Sequence, residues 1–125
     1  MAYETFYDRN GRAVAWYDDE QENPAIYLYN GTPVAWISDD SIYGYSGRHF
    51  GWLIDGWVRD SRGQAVLFTT GSTGGPARPA RNARPARAAR SARPARGARQ
   101  ARPARPASSL SWSTLSGEAF FAQQG

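Results

Sequence analysis

Short alternating runs of apolar and polar residues fill the first 72 residues and recur at a regular spacing. Each repeated unit contains two runs of five or six residues rich in Tyr, Ile, Val and Trp, separated by an Asn-Gly, Ser-Gly or Arg-Gly pair. Runs of this length and composition, bounded by Gly and Asn, are typical of β-strands joined in hairpins. The pattern therefore predicts four β-hairpins, or eight strands, in residues 3–72.

Four glycines mark the hairpin turns: Gly11, Gly31, Gly47 and Gly63. Asn-Gly pairs favour two-residue primed turns. A two-residue turn would pair Tyr27 with Val34, Ile26 with Ala35, and Ala25 with Trp36. The first spacing between glycines is longer than the others because it contains an additional piece, residues 20–23.

Two columns of large apolar residues align with the glycines, and we expect both to form the core. The first column, three positions after each glycine, is Val14, Val34, Phe50 and Val66. The second, five positions after each glycine, is Trp16, Trp36, Trp52 and Phe68. A lone hairpin cannot bury two apolar faces. We therefore predict an all-β domain, residues 1–72, in which four pseudo-symmetric hairpin petals close into a shallow barrel or flower.

An arginine tract follows the repeats. Arginine occupies every third position from 78 to 105: Arg78, Arg81, Arg84, Arg87, Arg90, Arg93, Arg96, Arg99, Arg102 and Arg105. Frequent proline disfavours a helix, and a period of three matches polyproline II. We expect residues 73–108 to be a disordered or polyproline-II linker, extended to roughly 100 Å, with its arginines along one edge. The tract is either a strip that binds lipid or nucleic-acid phosphates or a plain spacer.

The C-terminal segment, residues 109–125, is apolar again. Its candidate docking residues are Leu110, Trp112, Leu115, Phe120 and Phe121. Trp112, Leu115 and Ala119 would share one face of a helix. We expect the segment to dock on the flower of its own chain or of another copy, and a membrane contact is the alternative.

Composition excludes several kinds of site. The chain has no cysteine, which excludes disulfides and thiolate chemistry, and its one histidine, His49, has no metal-binding partners in the sequence pattern. Asp19, Asp39 and Asp55 occupy equivalent positions that turn chemistry explains. No catalytic residue, metal or cofactor is predicted. The absence of a secretion signal or a long apolar run favours a cytoplasmic protein, either free or at a membrane surface.

Several stretches resemble a bacterial family, the four-fold β-flower proteins: "IYLYNGTPVAWI", "IYGYSGRHFGWL", "RDSRGQAVLF", a "GGP" exit, a Pro-containing triplet tract and "SLSWSTLS". The resemblance implies a shallow symmetric barrel with four petals around an apolar centre. That barrel is loosely similar to Tubby-type domains, some of which bind membrane lipids. The resemblance carries over no activity and no catalytic residues.

Charge divides the chain and directs the functional hypotheses. Residues 1–75 carry a net charge of −5 and residues 76–125 carry +9. We predict a non-enzymatic interaction protein with no small-molecule substrate, bound to anionic lipid through the flower centre and the arginines. The alternatives are binding to an RNA or DNA backbone through the tract, and a purely structural module. Self-association follows if the C-terminal segment docks on another copy instead of its own chain.

Overall fold

The computed structural model describes residues 3–123, in which eight antiparallel strands form a closed barrel. The strands are β1 (Tyr3–Tyr7), β2 (Ala13–Asp18), β3 (Ala25–Leu28), β4 (Pro33–Ser38), β5 (Ser41–Tyr43), β6 (His49–Ile54), β7 (Trp57–Arg59) and β8 (Ala65–Phe68). Each strand pairs with the next, and β1 closes on β8. The all-β prediction with eight strands is confirmed. Residues 1, 2, 124 and 125, at the ends of the predicted first and last segments, lie outside the described residues.

The hairpin turns differ from the predicted two-residue type. In the first hairpin, the Asp8 N–H donates to the Arg12 carbonyl and the Gly11 N–H donates to the Asp8 carbonyl, both at 2.9 Å. Gly11 has a φ of +82°, whereas Asn10 is not among the residues with positive φ. This is a three-residue loop with glycine in the left-handed position, the hairpin connection that is next most common after the two-residue primed turns. The prediction of two-residue turns is therefore wrong.

A bulge follows each turn and shifts the predicted pairing. Ala25 pairs with Trp36 and Ile26 with Ala35, as expected, but Tyr27 pairs with Pro33 and not with Val34. The extra residue places two consecutive side chains on the same side of the strand. Val34 and Ala35 accordingly both pack against the central apolar cluster.

The centre of the barrel is filled by one residue from the first strand of each hairpin. These residues, each 0% exposed, are Phe6, Ile26, Ile42 and Val58. Small residues face them on the second strands. A Cβ at Gly51 would lie 2.1 Å from the Arg59 carbonyl oxygen and 2.9 Å from the Phe120 ring. This crowding accounts for the small residues Ala15 and Ala35 at the equivalent positions of the first two petals, whereas the fourth petal has Leu67.

The predicted tryptophan column lies on the outer wall of the barrel and outside the central cluster. Trp16 and Trp36 stack on cross-strand tyrosines with ring centroids 5.1 and 5.2 Å apart. Trp16, Trp36 and Trp52 are nonetheless only 3%, 4% and 1% exposed. Side chains of this size on an outer wall are buried only if another part of the chain covers them.

A short helix, α1 (Gly117–Phe121), closes the barrel end at which the hairpin turns lie. Its N-cap is Ser116, whose Oγ accepts the Ala119 N–H at 3.0 Å. Phe120 and Phe121 are buried in the central cluster. Trp112 and Leu115 precede the helix, so the predicted shared helical face is wrong. No helix within residues 3–123 has the length and apolar character needed to span a bilayer.

Candidate functional site

Residues 76–109, which we call the belt, run once around the outside of the barrel and cross the four hairpin turns in order. Four alanines lie against the four turn glycines: Ala80 on Gly11, Ala89 on Gly31, Ala98 on Gly47 and Ala107 on Gly63. A Cβ on any of these glycines would come within 1.8–2.2 Å of the facing alanine carbonyl oxygen. The belt therefore packs on the barrel and does not project from it as the expected extended strip.

Backbone hydrogen bonds hold the belt in register with the petals. The N–H groups of Asn82, Ser91, Gln100 and Ser109 donate to the carbonyls of the four turn glycines at 2.8, 2.9, 2.7 and 3.1 Å. The donors are nine residues apart. Two further N–H groups, of Ala88 and Gly97, donate to Tyr29 and Tyr45 at 2.9 and 2.8 Å. One petal thus corresponds to three triplets of the belt.

The sequence contains this nine-residue period, which the three-residue period of arginine obscures. Proline recurs nine residues apart at Pro76, Pro85, Pro94 and Pro103. The four donor positions, which also lie nine residues apart, hold Asn, Ser or Gln, and Gly97 is the one further departure from proline or alanine at the start of a triplet. These departures from the triplet were the signal that sequence analysis did not use.

The arginines of the belt cover the outer tryptophans and tyrosines. The Arg87 guanidinium lies 3.9 Å from the Tyr3 ring centroid, Arg96 lies 4.2 Å from Trp36, and Arg102 lies 5.2 Å from Trp52. Arg81, Arg90 and Arg99 make longer contacts of the same kind. Cations over aromatic faces attract the ring quadrupole, by about 0.5–1 kcal/mol at exposed sites. The belt is therefore the cover that the outer wall needs.

The side chains of the belt arginines stay exposed to solvent, although most of them contact the barrel. All ten arginines are exposed. Of these ten, only Arg102 and Arg105 form an ion pair with a described residue, which for both is Asp40, at 2.5 and 3.0 Å. Arg84 and Arg93 have no hydrogen bond, ion pair or ring contact with any described residue. The belt is thus an array of exposed cations whose backbone is fixed.

Arg59 joins the last belt residue, Ser109, and Gly74, which precedes the belt by two residues, to the fourth petal. It is 1% exposed, and its Nη1 donates to the carbonyls of Gly63 and Ser109, each at 2.7 Å. Its Nη2 donates to the Gly74 carbonyl at 3.2 Å. Burial lowers the pKa of Arg59, against the opposing effect of two nearby aspartates. Sequence analysis did not single out this residue, because it occupies one petal only.

The predicted docking residues have different environments. Trp112 lies beside Trp57 and Phe68, with ring centroids 5.6 and 6.3 Å apart, and covers the sector of β7 and β8. Leu115 is partly buried against the central cluster, whereas Leu110 is 72% exposed. The segment thus packs on its own barrel, next to β8, which pairs with β1 at Tyr7 and Phe68 alone.

The remaining titratable candidates are explained by their local surroundings. His49 Nε2 lies 3.1 Å from Ser41 Oγ, and burial, with a smaller effect of Arg102, lowers the pKa of His49. Burial also raises the pKa of Tyr17 to about 12. Asp39 and Asp55 have φ values of 55° and 51° in turns between petals. Asp19 is not in this conformation, since the longer first turn uses Asn23, with φ 48°.

A family model described as 4-fold beta flower protein matches residues 4–121, from the first strand through the belt to the end of α1. The chain belongs to the 4-fold beta flower family. The suspected resemblance is therefore confirmed, and the match includes the belt as well as the barrel. No curated protein and no solved structure matches the chain significantly. The β-flower barrel, its belt and its C-terminal helix are therefore the features that bear on function.

Proposed function

We propose that this β-flower is a non-enzymatic interaction protein that binds anionic lipid surfaces through the belt. The observation that carries the proposal is a backbone held at all four turns while the arginine side chains stay exposed. A fixed array of cations loses less conformational entropy on binding than a free tail does. The belt therefore suits contact with an extended anionic surface.

Charge supports the same partner. Residues 76–125 carry +9, and all ten of their arginines lie in the belt, which has no acidic residue. Basic residues next to an anionic membrane contribute about 1 kcal/mol each, within a Debye length of the surface. Only the arginines on the side facing the bilayer can contribute, so we expect an affinity that a few charges supply and that salt weakens strongly.

Because the barrel centre is filled, we propose that the lipid surface contacts the belt and not the centre. Phe6, Ile26, Ile42 and Val58 occupy the centre and are inaccessible, and Phe120 packs above them at the turn end. A lipid chain entering there would have to displace this packed cluster. The lipid contact that we proposed from the family resemblance therefore fits the belt better than the flower centre.

The covered aromatic wall is the reason to favour lipid over nucleic acid. Proteins that bind single strands stack bases on exposed aromatic rings. Here Tyr3, Trp36 and Trp52 already lie beneath belt arginines. An RNA or DNA strand would have the phosphates alone to contact. Nucleic acid remains an arm of the test.

Vesicle sedimentation tests the proposal. We expect the protein to pellet with phosphatidylcholine vesicles that contain phosphatidylglycerol, to stay in solution with phosphatidylcholine alone, and to dissociate at high salt. The double variant Arg84→Gln with Arg93→Gln removes two cations that make no hydrogen bond, ion pair or ring contact with a described residue, so it should bind more weakly and unfold like the wild type. Absence of binding, or tighter binding to RNA in a shift assay, would contradict the proposal.

A further inference from the structure

The one insertion in the repeat, residues 20–23, borders a cleft in the outer wall between the first two petals. The cleft has a volume of about 310 Å³, and its lining includes Asp18, Gln21, Tyr27, Arg90 and Arg93. It lies above Ala25, which is part of the same lining. The departure from fourfold symmetry thus coincides with a distinct polar site.

In the fourth petal a large side chain fills the position that is open here, whereas Thr5 and Ser41 hold it in the first and third petals and contact Tyr29 and His49. Ala25 aligns with Trp57 of the fourth petal, where the indole fills the outer wall and its Nε1 donates to the Thr73 carbonyl at 3.0 Å. In the second petal the methyl group of alanine leaves this space free. The insertion is also fixed to the belt, because Arg96 Nη2 donates to the Asn23 carbonyl at 3.0 Å.

The cleft has a negative and a positive side that do not neutralise each other. Asp18 is 5% exposed, and its Oδ1 accepts the Glu20 N–H at 3.0 Å. Asp18 forms the negative side of the cleft, and the carboxylates of Asp19 and Glu20 lie within 4.8 Å of its carboxylate but outside the lining. Arg90 and Arg93 form the positive side, and neither has an ion pair with a described residue.

We propose that this cleft binds a phosphate group that carries a nearby ammonium group, the chemistry of an aminophospholipid headgroup. Arg90 and Arg93 would hold the phosphate, and Asp18 would accept the ammonium. A simple anion would be repelled by Asp18, and a simple cation by the arginines, so the site selects a ligand with both charges. The inference deepens the proposed function by naming a headgroup class for the same belt.

The nine-residue period supplies a matched control. Arg81 and Arg84 precede Arg90 and Arg93 by nine residues and hold the equivalent belt positions. Arg81 lies 5.7 Å from the Tyr7 ring centroid, much as Arg90 lies 5.8 Å from Tyr27. The barrel position equivalent to Asp18 is there Thr70, a neutral residue. The double variants Arg81→Gln/Arg84→Gln and Arg90→Gln/Arg93→Gln therefore remove equal charge, but only the second pair faces an acid.

The first arm uses soluble probes on the full chain, followed by NMR of backbone amides. O-phosphoethanolamine should shift the amides of Gln21 and Ala25 saturably and bind about tenfold more tightly than inorganic phosphate, the factor expected for one added charge-assisted hydrogen bond. The Arg90→Gln/Arg93→Gln variant should lose this binding, and Asp18→Asn should lose the preference for the amine. Equal affinity for the two probes, or equal loss in the control variant, would overturn the inference.

The second arm separates a lipid from a soluble source. At equal mole fraction, vesicles with phosphatidylserine and with phosphatidylglycerol carry the same charge, so stronger binding to phosphatidylserine, lost in Arg90→Gln/Arg93→Gln, supports the headgroup site. Equal binding to both vesicles would overturn that headgroup assignment and leave the proposed function standing. Binding of O-phosphoethanolamine without any vesicle binding would instead contradict the proposed function and identify a soluble ligand.

Discussion

The contact between Gly31 and the belt predicts that one added methyl group strongly destabilises the protein. Gly31 has a φ of +93°, and a Cβ there would lie 2.0 Å from the Ala89 carbonyl oxygen. Alanine in the left-handed region costs about 1 kcal/mol. Moving the belt away would also break the bonds from Ser91 to Gly31 and from Ala88 to Tyr29, both 2.9 Å long. At roughly 1 kcal/mol for each bond, Gly31→Ala should cost about 3 kcal/mol in all.

Two other glycines separate the causes of this loss. Gly74 has a φ of +75°, but a Cβ added there would meet no atom within 4 Å. Gly74→Ala should therefore cost only about 1 kcal/mol. Gly71 has neither constraint, and Gly71→Ala should stay within about 0.5 kcal/mol of wild type. Urea unfolding followed by tryptophan fluorescence measures all three. If Gly31→Ala cost no more than Gly74→Ala, the belt would not rest on this turn, and the reasoning would be refuted.

Three further predictions concern the barrel and its closing segments. Arg59→Met should cost about 3 kcal/mol in urea unfolding, because it removes the buried hydrogen bonds to the carbonyls of Gly63, Ser109 and Gly74, and a loss under 1 kcal/mol would contradict that role. Phe120→Ala should cost about 3–5 kcal/mol by opening a cavity in the central cluster, whereas Leu110→Ala, at an exposed position, should change little; similar losses would show that α1 is not inserted. Because burial lowers the pKa of His49 from 6.5, the unfolded chain takes up the proton first, so the free energy of unfolding should fall as pH drops below about 6.5. The His49→Gln variant should lack this fall in the free energy of unfolding. If the variant showed the same pH profile as the wild type, the fall would be due to other groups.

The barrel could be predicted because its information is local and repeated. Gly11 and its three equivalents mark the turns, and the alternating apolar runs mark the strands, so the eight strands follow from pattern alone. The turn type did not follow, since Asn-Gly pairs occur both in two-residue primed turns and in three-residue loops with a left-handed glycine. The resulting bulge changes the partner of Tyr27 from Val34 to Pro33.

The belt could not be placed from composition. Its arginine triplets are typical of a solvated extended tract, and nothing local shows that Ala89 fits against Gly31. The sequence did contain a signal: four polar residues, nine residues apart, interrupt the triplets, one for each petal. This match can be interpreted only once the distance around the barrel is known. Arg59 was missed for a related reason, because a residue that acts once in a repeat leaves no periodic trace.

Amide hydrogen exchange of the belt in the full chain tests the central claim, a tract held around the barrel in nine-residue register, most directly. The account predicts slow exchange at Asn82, Ser91, Gln100 and Ser109, whose N–H groups bind the turn carbonyls, and fast exchange at their exposed neighbours. Uniformly fast exchange across residues 77–109, at the rates of an unstructured peptide, would contradict it.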